Sequence, residues 1–136
     1  MGTYPLKLIA SPRNRSSFPD FITPGQNISI PFIINEKNCI FRQIFEKYLC
    51  DKAITLDHTI ELWSIPTIKN LVKNDVGISF LPDFAAEQEL NSGELTVIPT
   101  DIEDVKINAV CAHHKNKWLS PFMELFIEII NAEHVI

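Results

Sequence analysis

Ile68-Lys-Asn-Leu-Val-Lys-Asn-Asp-Val-Gly-Ile-Ser-Phe-Leu-Pro-Asp83, followed shortly by Glu89-Leu-Asn-Ser-Gly-Glu-Leu95, sets four elements in order. Ile65, Ile68, Leu71 and Val72 recur at helical spacing, so a helix with one apolar face runs up to Asn74-Asp75. Residues 76–81 then read as a buried strand, Pro82-Asp83 opens a short helix that Gly93 stops, and residues 95–98 read as the next strand.

Working outward, residues 6–10 read as a short strand and residues 11–31, rich in Pro, Ser and Asn, as mostly loop. The near-continuous apolar run 30–34 is the pattern of a strand buried on both faces. Phe41, Ile44, Phe45, Tyr48 and Leu49 fall at helical spacing between Cys39 and Cys50, with Asn38 placed to cap the first turn. Residues 54–62 alternate as one strand, and Ser64-Ile-Pro66 begins a helix with proline tolerated in its first turn. Residues 107–112 read as a last strand. Ser120-Pro121 starts a terminal helix whose Phe122, Leu125, Phe126, Ile129 and Ile130 share one face. Alternating strands and helices predict an α/β sheet with helices on both faces, which binds ligands beyond the carboxyl ends of its strands.

The run Val72, Gly77, Ile78, Leu81, Pro82 resembles the Val-x-x-Gly-x-Gly-Ile-x-x-Leu-Pro pattern of the effector-binding domain of LysR-type transcriptional regulators, with Asp75 where a first glycine is usual. Pro31-Phe-Ile-Ile-Asn-Glu36 with Arg42, the strand through residues 4–12, and Lys115-Asn-Lys-Trp-Leu-Ser-Pro-Phe122 extend the likeness over nearly the whole chain. The resemblance implies a type II periplasmic-binding-protein-like fold, present here mainly as one subdomain. Residues 1–11 would be the crossover strand, 12–100 the second effector-binding subdomain, and 101–136 a return strand and helix belonging to the first. It further implies that a winged helix-turn-helix and the first portion of the effector domain lie outside this sequence, Met1-Gly2-Thr3 reading as a start placed on a truncated piece.

Composition narrows the function. A chain of 136 residues with 46% hydrophobic and 21% charged residues suits one globular domain. No apolar run approaches the roughly 18 residues that span a bilayer, and the amino terminus lacks a signal-peptide pattern, so a cytoplasmic protein without membrane contact is expected. The net charge of −5 opposes phosphate binding, so this piece alone should bind no DNA. Three cysteines, Cys39, Cys50 and Cys111, show no Cys-x-x-Cys spacing and read as free thiols. His113-His114 lacks a third ligand at a recognisable spacing, His58 and His134 have no evident partner, and no phosphate loop, nucleophile elbow or paired-carboxylate motif occurs. No catalytic residue, metal or cofactor is expected.

Helix starts carry partial positive charge, so Asn38 and Ser64 are candidates for holding an anionic group, against the plainer reading that they only cap their helices. The resemblance places the effector cleft at Leu62, Trp63 and Ser64, with Asn35 and Glu36 on a similar edge; Trp63 would stack on a ligand or simply pack. The implied function is effector sensing: a small anionic metabolite controls DNA binding by the missing winged helix, in a homo-oligomer to which the 121–130 helix contributes. A transporter's solute-binding protein shares the fold and is the alternative. Cys39, at a helix start that favours the thiolate, is the candidate for a peroxide-sensing variant, against a purely structural role. Cys50 lies eleven residues on, about 16 Å along a helix, whereas a disulfide needs Cα atoms within about 7 Å.

Overall fold

The computed structural model describes residues 3–17, 20–102 and 105–133. The elements are β1 (Thr3–Ala10), α1 (Pro12–Ser16), β2 (Asn27–Ile28), β3 (Phe32–Ile34), α2 (Ile40–Asp51), β4 (Thr55–Leu56), β5 (Thr59–Glu61), α3 (Ile65–Lys73), β6 (Ser79–Pro82), α4 (Asp83–Ser92), β7 (Thr96–Ile98), β8 (Lys106–Asn108) and α5 (Pro121–Glu133). His134 lies outside the described residues.

Period-two alternation sorts the strand side chains onto two faces. Leu8, Ala10, Phe32, Ile34, Ile78 and Phe80 join one core with Phe45 of α2. Ile9, Ile33 and Leu81 join the other with Ile68 and Val72 of α3 and Ala86 of α4. The first core is built on aromatic stacking, the Phe45 ring lying 4.6 Å from Phe32 and 4.9 Å from Phe80. The apolar periods of the sequence therefore sort onto two cores, α2 against one and α3 and α4 against the other, the strands forming a four-stranded sheet (β6-β1-β7, with β8 on β1) and two parallel pairs, β2-β4 and β3-β5.

β3 runs parallel to β5, Ile34 opposite Glu61, and parallel to the approach to β6 through Ile33 N–H to Ile78 O at 2.8 Å and Ile78 N–H to Pro31 O at 3.0 Å. β1 lies antiparallel between β6 and β7. It also changes partner along its length: Thr3, Tyr4 and Pro5 face β8, with Pro5 opposite Lys106, and from Leu6, opposite Pro82, it faces β6.

Two residues of the 68–83 stretch explain its motif. A Cβ on Gly77 would sit 2.3 Å from the Pro31 carbonyl oxygen, so no other residue fits between the two strands. Asp75 has φ of 63°, the left-handed region that a glycine at this point would enter freely. Asp and Asn tolerate it better than most residues, and here the Asp75 carboxylate accepts the Ser11 hydroxyl at 2.5 Å while its carbonyl accepts the Asn14 amide at 3.2 Å. The departure from the family's glycine is thus tied to a local helix.

That helix corrects the reading of residues 11–31 as mostly loop. α1 starts at Pro12 with Ser11 as its cap, and its one buried residue, Asn14, is polar, so no apolar period announces it. The strand expected over 54–62 is divided into β4 and β5, although the ladder continues across the break through Asp57 N–H to Ile28 O and Phe32 N–H to His58 O. The strand expected over 107–112 is only Lys106–Asn108. α5 forms where expected, but Phe122 (84% exposed), Leu125, Phe126 and Ile129 meet solvent.

Candidate functional site

β3 and β5 end side by side, since Leu62 N–H bonds Ile34 O at 2.9 Å just past their last paired residues. From these carboxyl ends, residues 35–39 lead into α2 and residues 62–64 lead into α3. Asn35, Glu36, Asn38 and Cys39 are therefore brought to the same edge of the sheet as Leu62, Trp63 and Ser64. Within it Glu36, Cys39 and Leu62 are half-buried, while Asn38, Trp63 (80%) and Ser64 are exposed.

The two helix starts differ chemically. Ser64 caps α3 by accepting from Thr67 N–H at 3.4 Å, and Pro66 has no N–H to offer, so two of the first-turn donors of α3 are already removed. α2 is open. Its N-cap is Cys39, not Asn38 as the sequence suggested, and no side chain caps it. Asn38 falls one residue too early because the turn closed by Cys39 N–H to Glu36 O, 2.9 Å, uses residues 36–39. The first intrahelical bond is Gln43 N–H to Cys39 O, which leaves the amides of Ile40, Phe41 and Arg42 for an outside acceptor.

Asn35 stands immediately before this start. It is only 5% exposed. Its backbone carbonyl is held by Arg42, whose Nη1 donates to Asn35 O at 3.0 Å and to Glu61 Oε2 at 2.7 Å while Nε donates to Glu46 at 2.7 Å. This guanidinium, with a side chain 15% exposed, ties the end of β3 to the end of β5. Bonding to Glu46 and then to Glu61 raises its pKa, and the same contact, ahead of a smaller one from Trp63, holds the Glu61 carboxyl below the usual carboxylate range. Periodicity and spacing did not reveal Arg42 and Glu61 as partners, because they meet across nineteen positions of sequence.

Cys39, Cys50 and Cys111 are free thiols, Cys39 at the start of α2 and Cys50 in its last turn. Among the described residues no group of three His, Cys, Asp or Glu side chains is placed to hold a metal ion. Surface cavities of about 390 Å³ beside Tyr4 and Phe84, about 340 Å³ beside Tyr48, and about 340 Å³ beside Cys111 lie away from this edge.

Comparison with known proteins identifies the frame in which this edge sits. Residues 1–134 match the LysR substrate binding domain family. This chain belongs to that family. The LysR domain is 44% identical over 135 residues to the HTH-type transcriptional regulator YfiE of Escherichia coli K12, covering 99% of this chain and 45% of that protein. It is 29% identical over 97 residues to YwqM of Bacillus subtilis 168, covering 71% of this chain and 32% of the relative. The chain thus spans less than half the length of these relatives. In fold it resembles the regulatory domain of Synechocystis CcmR in complex with 2-PG, with a TM-score of 0.69, 22% identity, and coverage of 98% of this chain and 64% of that one. The apo regulatory domain of HypT from Salmonella typhimurium gives a TM-score of 0.69 at 18% identity, over 96% of this chain and 61% of that one. The LysR domain therefore has the type II periplasmic-binding-protein-like fold, and it is the effector-binding domain of a LysR-type transcriptional regulator.

Proposed function

We propose that this domain holds a small metabolite carrying an anionic group at the edge formed by Asn35, Glu36, Asn38 and Cys39 with Leu62, Trp63 and Ser64. The observation that carries this reading is the uncapped start of α2, with buried Asn35 at the end of the strand that leads into it. Oriented amides are a ready anion receiver. Binding favours one arrangement of the intact regulator and passes that preference to a winged helix-turn-helix carried elsewhere in the parent protein, which acts as a cytoplasmic homo-oligomer. In the division expected from sequence, residues 12–100 form the ligand-holding unit and residues 101–136 pack with the other half of the cleft. The net charge of −5 keeps this piece from binding DNA by itself.

Titrating the isotopically labelled chain with sodium acetate and sodium sulfate against sodium chloride at matched ionic strength tests the site. Shifts should concentrate on the Ile40, Phe41 and Arg42 amides and vanish in Asn35→Ala. Shifts spread over the surface, or unchanged in that variant, would remove the site.

A second reading, in which Cys39 senses peroxide, is favoured by its position as an uncapped, half-buried N-cap. Cys39 would then alkylate faster than Cys50 and Cys111 at neutral pH in pulse labelling, despite their greater exposure. Slower labelling of Cys39, with no oxidation under stoichiometric peroxide, makes it structural.

A further inference from the structure

β3 and β5 are paired as far as Ile34 and Glu61, and beyond the bond from Leu62 N–H to Ile34 O their chains part, one toward α2 and the other toward α3. The Arg42 guanidinium is placed at that parting. Its Nη1 donates to Asn35 O at 3.0 Å and to Glu61 Oε2 at 2.7 Å, so one nitrogen holds the first residue past β3 and the last residue of β5. Glu46, one turn further along α2, takes Nε at 2.7 Å and fixes the aim of the group from behind. A planar fork can serve three acceptors in this way, whereas a lysine is a point charge on a flexible stem. With a side chain only 15% exposed, the fork is largely spared the screening that makes surface ion pairs weak.

The consequence reaches Trp63. Its side chain is 80% exposed, too open for packing to hold, and it bonds the same Glu61 carboxylate less strongly than Arg42 does. Where the ring stands therefore depends on where Arg42 holds Glu61. Arg42 also carries one of the amides left open at the start of α2, so its main chain belongs to one side of the edge and its guanidinium to the other.

We propose that Arg42 is the positioning residue of this edge: it sets the spacing of the 35–39 and 62–64 loops and carries the occupancy of one to Trp63 on the other. This rests on the effector site proposed above and adds how its two sides act together. Arg42 works through the loops and not by contact with the ligand.

The experiment uses the whole chain carrying Trp118→Phe, which leaves Trp63 as its one tryptophan. Time-resolved fluorescence anisotropy reads the nanosecond motion of the ring, and titration of the labelled chain with sodium sulfate reads the Ile40 and Phe41 amides and the Trp63 indole N–H. Arg42→Lys keeps the charge and loses the fork. It should about double the amplitude of fast ring motion and weaken sulfate about tenfold, the worth of one hydrogen bond to a charged group. Glu61→Ala, at an exposed position, should free the ring as well. Sulfate should shift the indole N–H in the parent chain and in neither variant. Lys52→Gln, which breaks an ion pair at the other end of α2, should change none of these signals. A ring as restrained in Arg42→Lys and Glu61→Ala as in the parent would overturn the positioning role, and so would an equal release in Lys52→Gln. A freed ring with sulfate affinity and indole response unchanged would overturn it too, leaving the anion site standing. A parent chain whose α2 amides ignore sulfate would overturn the site and the role together.

Discussion

At the scale of single residues, Gly77 and Asp75 show how a motif can be legible while its reason is not. The sequence marks Gly77 as part of a pattern, but only the parallel approach of residues 31–33 to 78 shows that a side chain would strike the Pro31 carbonyl. Gly77→Ala should therefore destabilise the domain by about 3 kcal/mol, through forced separation of two core strands. Urea unfolding followed by circular dichroism measures this, and a loss below about 1 kcal/mol would mean that the strands part easily. Asp75 marks the opposite case: a departure from the family pattern that sequence alone leaves as an imperfection is the anchor of α1. The site divides in the same way. Asn35 and Ser64 were visible as strand end and helix start, whereas the Arg42 clamp depends on a meeting of distant segments that no spacing rule reports.

At the scale of elements, apolar periodicity located α2, α3 and α5, the Pro82-Asp83 start and the Gly93 stop located α4, and Gly93, at φ of 81°, ends it as expected of a left-handed cap. Periodicity failed for α1, which is held by polar contacts, and for the break between β4 and β5, where hydrogen bonds bridge an irregular backbone. α3 and α4 are joined by Lys69 Nζ to Glu89 Oε1 at 2.7 Å, with side chains 19% and 11% exposed. The other carboxylate oxygen of Glu89 is buried without a partner. The hydrogen bond from Lys69 outweighs desolvation and lowers the Glu89 pKa below its usual 4.5. Because the folded value lies below the unfolded one, this pair contributes fully above the unfolded value, and its contribution is lost as pH falls through the folded one. Glu89→Gln should cost about 2 kcal/mol at neutral pH and flatten the acid limb of the stability profile. Parallel urea midpoints for the two proteins from neutral to acidic pH would show it; identical acid limbs would place the lost stability elsewhere, Asp20 being another carboxyl with a lowered pKa, through its bonds to the Thr23 and Ile22 amides.

For the whole molecule, the apolar face of α5 is the feature that the folded chain leaves unresolved, with Phe122, Leu125, Phe126 and Ile129 each about half exposed or more. Such a stripe is unstable in water. The 136-residue chain should self-associate at micromolar concentration, and Phe126→Glu should shift it toward monomer without loss of helical signal. Sedimentation velocity that finds the parent chain monomeric throughout would remove α5 as a contact surface.

β1 carries a mechanical consequence. Where it passes from β8 to β6, the paired positions include Pro5 on one strand and Pro82 on the next, and neither has an N–H to donate. The ladder is short of cross-links where β1 leaves β8 and takes up β6. A torque applied to the segment bearing β8 would be absorbed there as bending, before it strained the stacked phenylalanines on one side of the sheet or the helix starts at its end. The strand works as a shaft with a compliant joint cut into it.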